Sequence, residues 1–147
     1  MNYYLLKPEV AGELGEGSEL VYEGGSLKEV TFLEYNFMGW LGDELLTTHP
    51  CFIVTESLQN DIMLYDLTGV TFRDIAMTFS DEFYELYGDK KLPRFVQIIC
   101  NTSYEDNADN LQYDFYYNKY KRMIVSEKAL NVLKQHRMDM CNIESYI

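Results

Sequence analysis

The sequence predicts an α+β fold: a single compact domain with a mixed, mostly antiparallel sheet and about three helices. Three observations lead there. The chain has 147 residues, 47% hydrophobic and 15% aromatic, which is enough for one core and too little to divide between two stable ones. Strand-like and helix-like stretches interleave without a regular strand–helix–strand rhythm, which argues against a doubly wound parallel sheet. Three amphipathic segments open on a Ser or Thr of the kind that caps a helix.

Residues 2–6 read as a first strand, stopped by Pro8. Residues 11–26 hold Gly12, Gly15, Gly17, Gly24 and Gly25 among glutamates and predict a long surface loop or a loosely held hairpin. Residues 30–37 predict a second strand, with Thr31, Leu33, Tyr35 and Phe37 on one side and Val30, Phe32, Glu34 and Asn36 on the other. Residues 39–46 break that alternation and predict a turn and a short helical piece. Phe52-Ile53-Val54 is too short for periodicity to classify. Thr55 caps a helix from about Glu56, with Leu58, Ile62 and Tyr65 along its inward stripe. Residues 70–79 carry a weak strand signal.

Ser80 caps a second helix, with Asp81 and Glu82 in its first turn, Gly88 at its end, and Phe83, Leu86 and Tyr87 facing inward. Residues 94–101 are almost continuously apolar and predict a central strand covered on both faces. A polar loop occupies residues 101–110. Strand patterning resumes at 113–117, turns at Asn118-Lys119 and returns over 121–125. Ser126 caps the third helix, with Glu127 in its first turn, Ala129, Leu130 and Leu133 inward, and basic His136-Arg137 near its end. Residues 141–143 predict a short final strand.

Charge narrows the function. Twenty-four Asp and Glu stand against 12 Lys and Arg, a formal net charge of −12. Such a surface repels a phosphate backbone, so nucleic acid is disfavoured as a partner. The apolar content is too high for an acidic disordered tail. The opening residues lack a basic stretch leading into a long apolar one, and no apolar run approaches the roughly 20 residues that span a bilayer. A cytoplasmic protein that does not enter membranes is expected. Cys51, Cys100 and Cys141 are odd in number and widely spaced, as reduced thiols would be.

No catalytic set, metal or cofactor is predicted. His49 with Cys51, and His136 with Cys141, would supply four ligands for zinc, but the usual close-pair spacings are missing. Cys51 as a core thiol and His136 as a helix-end cation account for them more simply. Cys51 with His49 or His136 as base lacks the local signatures of such enzymes, and there is no Gly-x-Ser-x-Gly elbow. Asp43-Glu44, Asp81-Glu82 and Glu105-Asp106 are neighbours in sequence, which is not the opposed geometry of a glycosidase. Residues 105–110 share the composition of a calcium loop without its ligand order. No Gly-Lys-Ser/Thr follows the glycines of residues 12–25, and glutamates there oppose a phosphate. A small acidic hydrolase or metal-dependent enzyme using Cys51, His49 and His136 therefore stands as the alternative reading.

Two features favour binding. Residues 1–50 hold nine acids against Lys7 and Lys28, while residues 101–147 hold seven acids against six bases. An acidic face steers a basic protein partner, or simply keeps the chain soluble. The chain also has 13 tyrosines, with Tyr113, Tyr116, Tyr117 and Tyr120 close together. Tyrosine offers large contact area at low entropic cost. The candidate partner-binding residues are Trp40, Asp43, Glu44, Glu105, Asp106, Asp109, Tyr116 and Tyr120. Self-association through tyrosine-rich strands, giving a homodimer, is a further alternative.

Several segments carry a family likeness. They are Asn2-Tyr3-Tyr4-Leu5-Leu6, Gly39-Trp40-Leu41-Gly42-Asp43-Glu44-Leu45-Leu46, Pro50-Cys51-Phe52-Ile53-Val54-Thr55, Leu67-Thr68-Gly69, Leu92-Pro93-Arg94-Phe95, and Ile124-Val125-Ser126-Glu127-Lys128-Ala129-Leu130-Asn131-Val132-Leu133-Lys134. In this order, across nearly the whole chain, they resemble the bacterial immunity proteins of polymorphic toxin systems, in the group called immunity protein family eleven. The resemblance implies one α+β cytoplasmic domain over residues 1–147 that binds and neutralises a cognate toxin. Occluding the toxin suffices, and no catalytic residue is implied. Residues 102–122 share least with the group, which marks them as a candidate partner-specific surface.

Overall fold

Three hydroxyls start the three helices. In the computed structural model, which describes residues 2–147, Thr55, Ser80 and Ser126 each accept the backbone N–H three residues on, from Leu58, Phe83 and Ala129. The helices that follow are α1 (Glu56–Leu64), α2 (Asp81–Tyr87) and α3 (Glu127–Leu133). None is long and apolar enough to cross a membrane. Ser126 does double duty, because its hydroxyl also donates to Asp114 Oδ1 at 2.7 Å. Ser126→Ala is expected to cost about 1–2 kcal/mol, read as an earlier urea midpoint. An unchanged midpoint would mean that packing alone holds the start of α3.

The strands, in chain order, are β1 (Tyr3–Lys7), β2 (Glu9–Val10), β3 (Gly12–Leu14), β4 (Glu19–Glu23), β5 (Ser26–Phe32), β6 (Glu34–Phe37), β7 (Leu45–Thr48), β8 (Cys51–Thr55), β9 (Val70–Arg73), β10 (Ala76–Phe79), β11 (Phe95–Cys100), β12 (Phe115–Tyr117), β13 (Met123–Ser126) and β14 (Asn142–Ser145). A five-stranded sheet runs β2-β7-β8-β11-β9, a four-stranded one β12-β13-β1-β14, and a three-stranded one β10-β6-β3. Pairing is antiparallel except at β2–β7 and β10–β6. The hairpin β4–β5 joins none of them.

The interior of the five-stranded sheet, β8 and the first four residues of β11, is buried on both faces. Phe52 and Val54 of β8, with Val96 and Ile98 of β11, face a first core shared with α1, α3 and the four-stranded sheet. Their neighbours Cys51, Ile53 and Phe95 face a second core, with Tyr35 and Phe37 of β6 and Phe83 of α2. Alternation is therefore hidden, and Phe95–Cys100 forms the interior strand that the apolar run over 94–101 predicts. The four-stranded sheet repeats the arrangement. Met123 and Val125 point into the first core, while Ile124 points into a third cluster with Tyr3, Tyr104 and Tyr116.

Tertiary structure overrides several local readings. Residues 39–46 hold no helix; Leu45 and Leu46 open β7 and enter different cores, which only an extended chain allows. The stretch 30–37 divides at Leu33 into two strands of different sheets, and residues 70–79 divide likewise. Tyr65 is 44% and Leu86 73% exposed, so neither belongs to an inward stripe. Tyr65 lies just past the last residue of α1, and α2 is too short to bury more than one ridge.

Candidate functional site

Trp40, Asp43 and Glu44 lie at a joint between chain segments. The Trp40 indole donates to the Asp43 carbonyl at 2.7 Å and meets the edge of Phe95. Asp43 is fully buried; its Oδ2 accepts the Met140 N–H at 2.8 Å, while Oδ1 has no partner among the described residues. Burial pushes its carboxyl up. Glu44 accepts from Thr55 Oγ1 at 2.7 Å and from the Arg137 N–H at 3.2 Å, with His136 Nδ1 at 3.1 Å. These acids tie residues 39–46 to α1 and to the segment after α3.

Tyr116 is also fully buried, its hydroxyl accepting the N–H groups of Gln112 and Tyr113 and its ring packed against Tyr3 and Tyr104. Asp43 and Tyr116 therefore offer no surface to a partner, which corrects the reading from charge and tyrosine spacing. Glu105, Asp106 and Asp109 stand exposed on the loop after β11, and Tyr120 is 62% exposed in the turn between β12 and β13. The eight candidates lie in four places: the 39–46 joint, the buried tyrosine cluster that holds Tyr116, the loop after β11 and the turn between β12 and β13.

No side-chain hydrogen bond joins Cys51, His49 and His136 among the described residues. The His136 ring, 8% exposed, lies between Glu44 and Asp61, with Nε2 2.7 Å from Asp61 Oδ2. It is a structural cross-link beyond the helix end, and two carboxylates face it in place of the helix carbonyls. His49 is exposed and Cys51 buried. Burial pushes the Cys51 thiol up to about 11, against a downward pull from the Arg73 charge, and raises Cys100 to about 12 and Cys141 to about 11. All three stay protonated near neutral pH and are poor nucleophiles. Among the described residues, no three of His, Cys, Asp and Glu are arranged to hold a metal ion.

Two other features stand out. The first is the β4–β5 hairpin. Gly24 and Gly25 turn it, at φ 59° and 82°, the left-handed pair that a two-residue hairpin loop requires. Every residue of β4 is exposed, with Leu20, Val21 and Tyr22 between Glu19 and Glu23. Glu13, Glu16 and Glu29 are exposed as well, whereas Glu9 and Asp43 are buried and Glu34 and Glu44 half-buried. The acidity of residues 1–50 is thus concentrated on and beside the hairpin. At its base Val30 is buried in the second core, and Arg73 donates to the Thr31 carbonyl at 2.7 Å.

The second is a cleft of about 330 Å³ beneath β5, where β8 begins and β11 ends. Lys121 also lines two further hollows beside His49, which share Arg122. Six of the chain's 12 basic residues, Lys7, Lys28, Arg73, Lys119, Lys121 and Arg122, line the cleft and these hollows, with Glu29 as the only acid among the described residues that do. The turn carrying three of them is held by Asn118, whose side-chain oxygen accepts the N–H groups of Tyr120 and Arg122. The bases come from separate stretches of sequence, so no local motif announces the surface. Comparison of the chain with models of known families, with curated proteins and with solved structures gives no match.

Proposed function

We propose that this chain is an immunity protein that captures a basic toxin on its acidic β4–β5 hairpin and neutralises it by covering it, in the cytoplasm of the cell that makes the toxin. The observation that carries the reading is the hairpin itself: a two-stranded sheet joined to no other, exposed along the whole of β4, with glutamates around apolar Leu20, Val21 and Tyr22. Soluble proteins blunt such edges unless a partner covers them. Unpaired strand edges accept a partner's strand, the apolar residues supply contact area, and the carboxylates steer a basic surface toward it. The family resemblance along the chain supplies the biological role. Occlusion requires no chemistry of the inhibitor.

The test is co-expression with the toxin domain encoded next to this gene. Growth should be restored, and the two chains should co-purify as a complex that weakens as salt rises. Unrelieved toxicity with no complex at low salt would end this reading.

A further inference from the structure

The cleft beneath β5 contains a polar group that the fold leaves unanswered. Gln97 of β11 is 5% exposed, yet its carboxamide oxygen has no hydrogen-bond partner among the described residues. It lines the cleft. A buried acceptor without a donor costs on the order of 1–3 kcal/mol, and of the five such side-chain oxygens among the described residues only that of Gln97 belongs to a residue lining the cleft. Leucine at the same position would extend the apolar run of β11 without that cost.

The surroundings define what would answer it. Arg73 is the register partner of Gln97 on the neighbouring strand, so both side chains rise from the same face of the sheet. Its guanidinium is held at the base of the hairpin by the Thr31 carbonyl. Farther out are Lys28 and Lys121. Lys121 sits over the Tyr117 ring at 4.5 Å and has no carboxylate partner among the described residues; its backbone adopts φ 61°, left-handed for a non-glycine residue. Val30, Cys51 and Ile99, on the same side of the sheet as Gln97, supply apolar wall. The volume, about 330 Å³, lies in the range of small-molecule sites. A cationic hollow in a chain of net charge −12 opposes the overall charge pattern.

We propose that this cleft binds a small organic anion, a carboxylate or phosphate ester, whose acidic group meets Arg73 and Lys121 and whose inner N–H or O–H donates to the Gln97 carboxamide oxygen. The ligand's apolar body lies against Val30 and Cys51. The site is independent of toxin capture and is tested on the chain alone, so loss of one reading leaves the other standing.

Isothermal titration of the full chain with 4-hydroxybenzoate and with AMP tests it, the two probes separating carboxylate from phosphate ester. At least one should bind saturably at millimolar concentration or below. Gln97→Leu and Lys121→Glu should each weaken that binding by about tenfold or more. Gln97→Leu should meanwhile melt at an equal or higher temperature than the parent without ligand, since it removes the orphaned acceptor. Lys121 is exposed, so its variant tests the site even if the core substitution disturbs folding. No saturable binding of either probe, or binding that withstands either variant in folded form, overturns the proposal.

Discussion

Lysine at Glu19, Glu23 and Glu29 together is expected to slow capture of a basic toxin by one to two orders of magnitude, within the range that electrostatic steering spans. Three reversals change the charge by six, taking the net −12 to −6, and all the change falls on one projecting hairpin. Stability should scarcely move. The three side chains are exposed, and the Glu23–Lys28 ion pair at 3.1 Å is between groups 71% and 60% exposed, too wet to contribute much. Stopped-flow association at several salt concentrations separates these effects. The parent should lose speed steeply as salt rises, and the variant should show a nearly flat profile. Equal association rates at low salt would remove the hairpin from the interface. Serine at Leu20 and Tyr22 should act on dissociation instead, because apolar contact area governs how long a formed complex lasts.

The largest expected loss of stability follows His136→Ala, about 2–4 kcal/mol by urea denaturation. Its imidazole bridges Glu44 and Asp61 at 3.1 and 2.7 Å while only 8% exposed, and the two carboxylates are 22% and 32% exposed. Removing the ring leaves two half-buried carboxylates without the hydrogen-bond partner they shared; their partial exposure keeps the cost below that of fully buried groups. The loss should depend on pH. Burial pushes the Glu44 carboxyl up, but the hydrogen bonds from Thr55, the Arg137 N–H and His136 together outweigh it, so its pKa lies below the ordinary 4.5. Its contribution is therefore complete above about pH 4.5 and lost as pH falls through the folded value. The gap between parent and variant should narrow on acidification. Glu9 and Asp43 work in the opposite sense: burial raises both, so their ionisation above the ordinary 4.5 and 3.8 opposes folding. A gap that is constant from pH 7 to acid would show that His136 acts only by filling space.

Some of this was legible in the residues and some was not. The helix starts were legible because a cap is a local event: a hydroxyl at Thr55, Ser80 or Ser126 needs only the next turn of its own chain. The central strand was legible because an apolar run long enough to be covered on both faces has few other uses. Residues 39–46 misled because the turn signals of Gly39 and Gly42 are local, whereas the pull of Leu45 and Leu46 into two different cores is not. Asp43 and Tyr116 read as surface because carboxylates and tyrosines are usually wet. Their burial depends on the Met140 N–H and on the Gln112 and Tyr113 N–H groups, and a partner far along the chain, as Met140 is, cannot be read from the neighbourhood of Asp43.

By itself, the amino-acid order determined the class of fold, the starts of the helices, the covered strand and the overall negative charge, all of which depend on near neighbours or on simple sums. Where that charge lies was decided only in three dimensions. Folding hides Asp43 and Glu9, leaves Glu19, Glu23 and Glu29 on a free hairpin, and gathers Lys28, Arg73 and Lys121 around Gln97. Electrostatics acts through space and solvent exposure, so the same count of charges can describe a uniformly acidic surface or an acidic arm above a basic cleft.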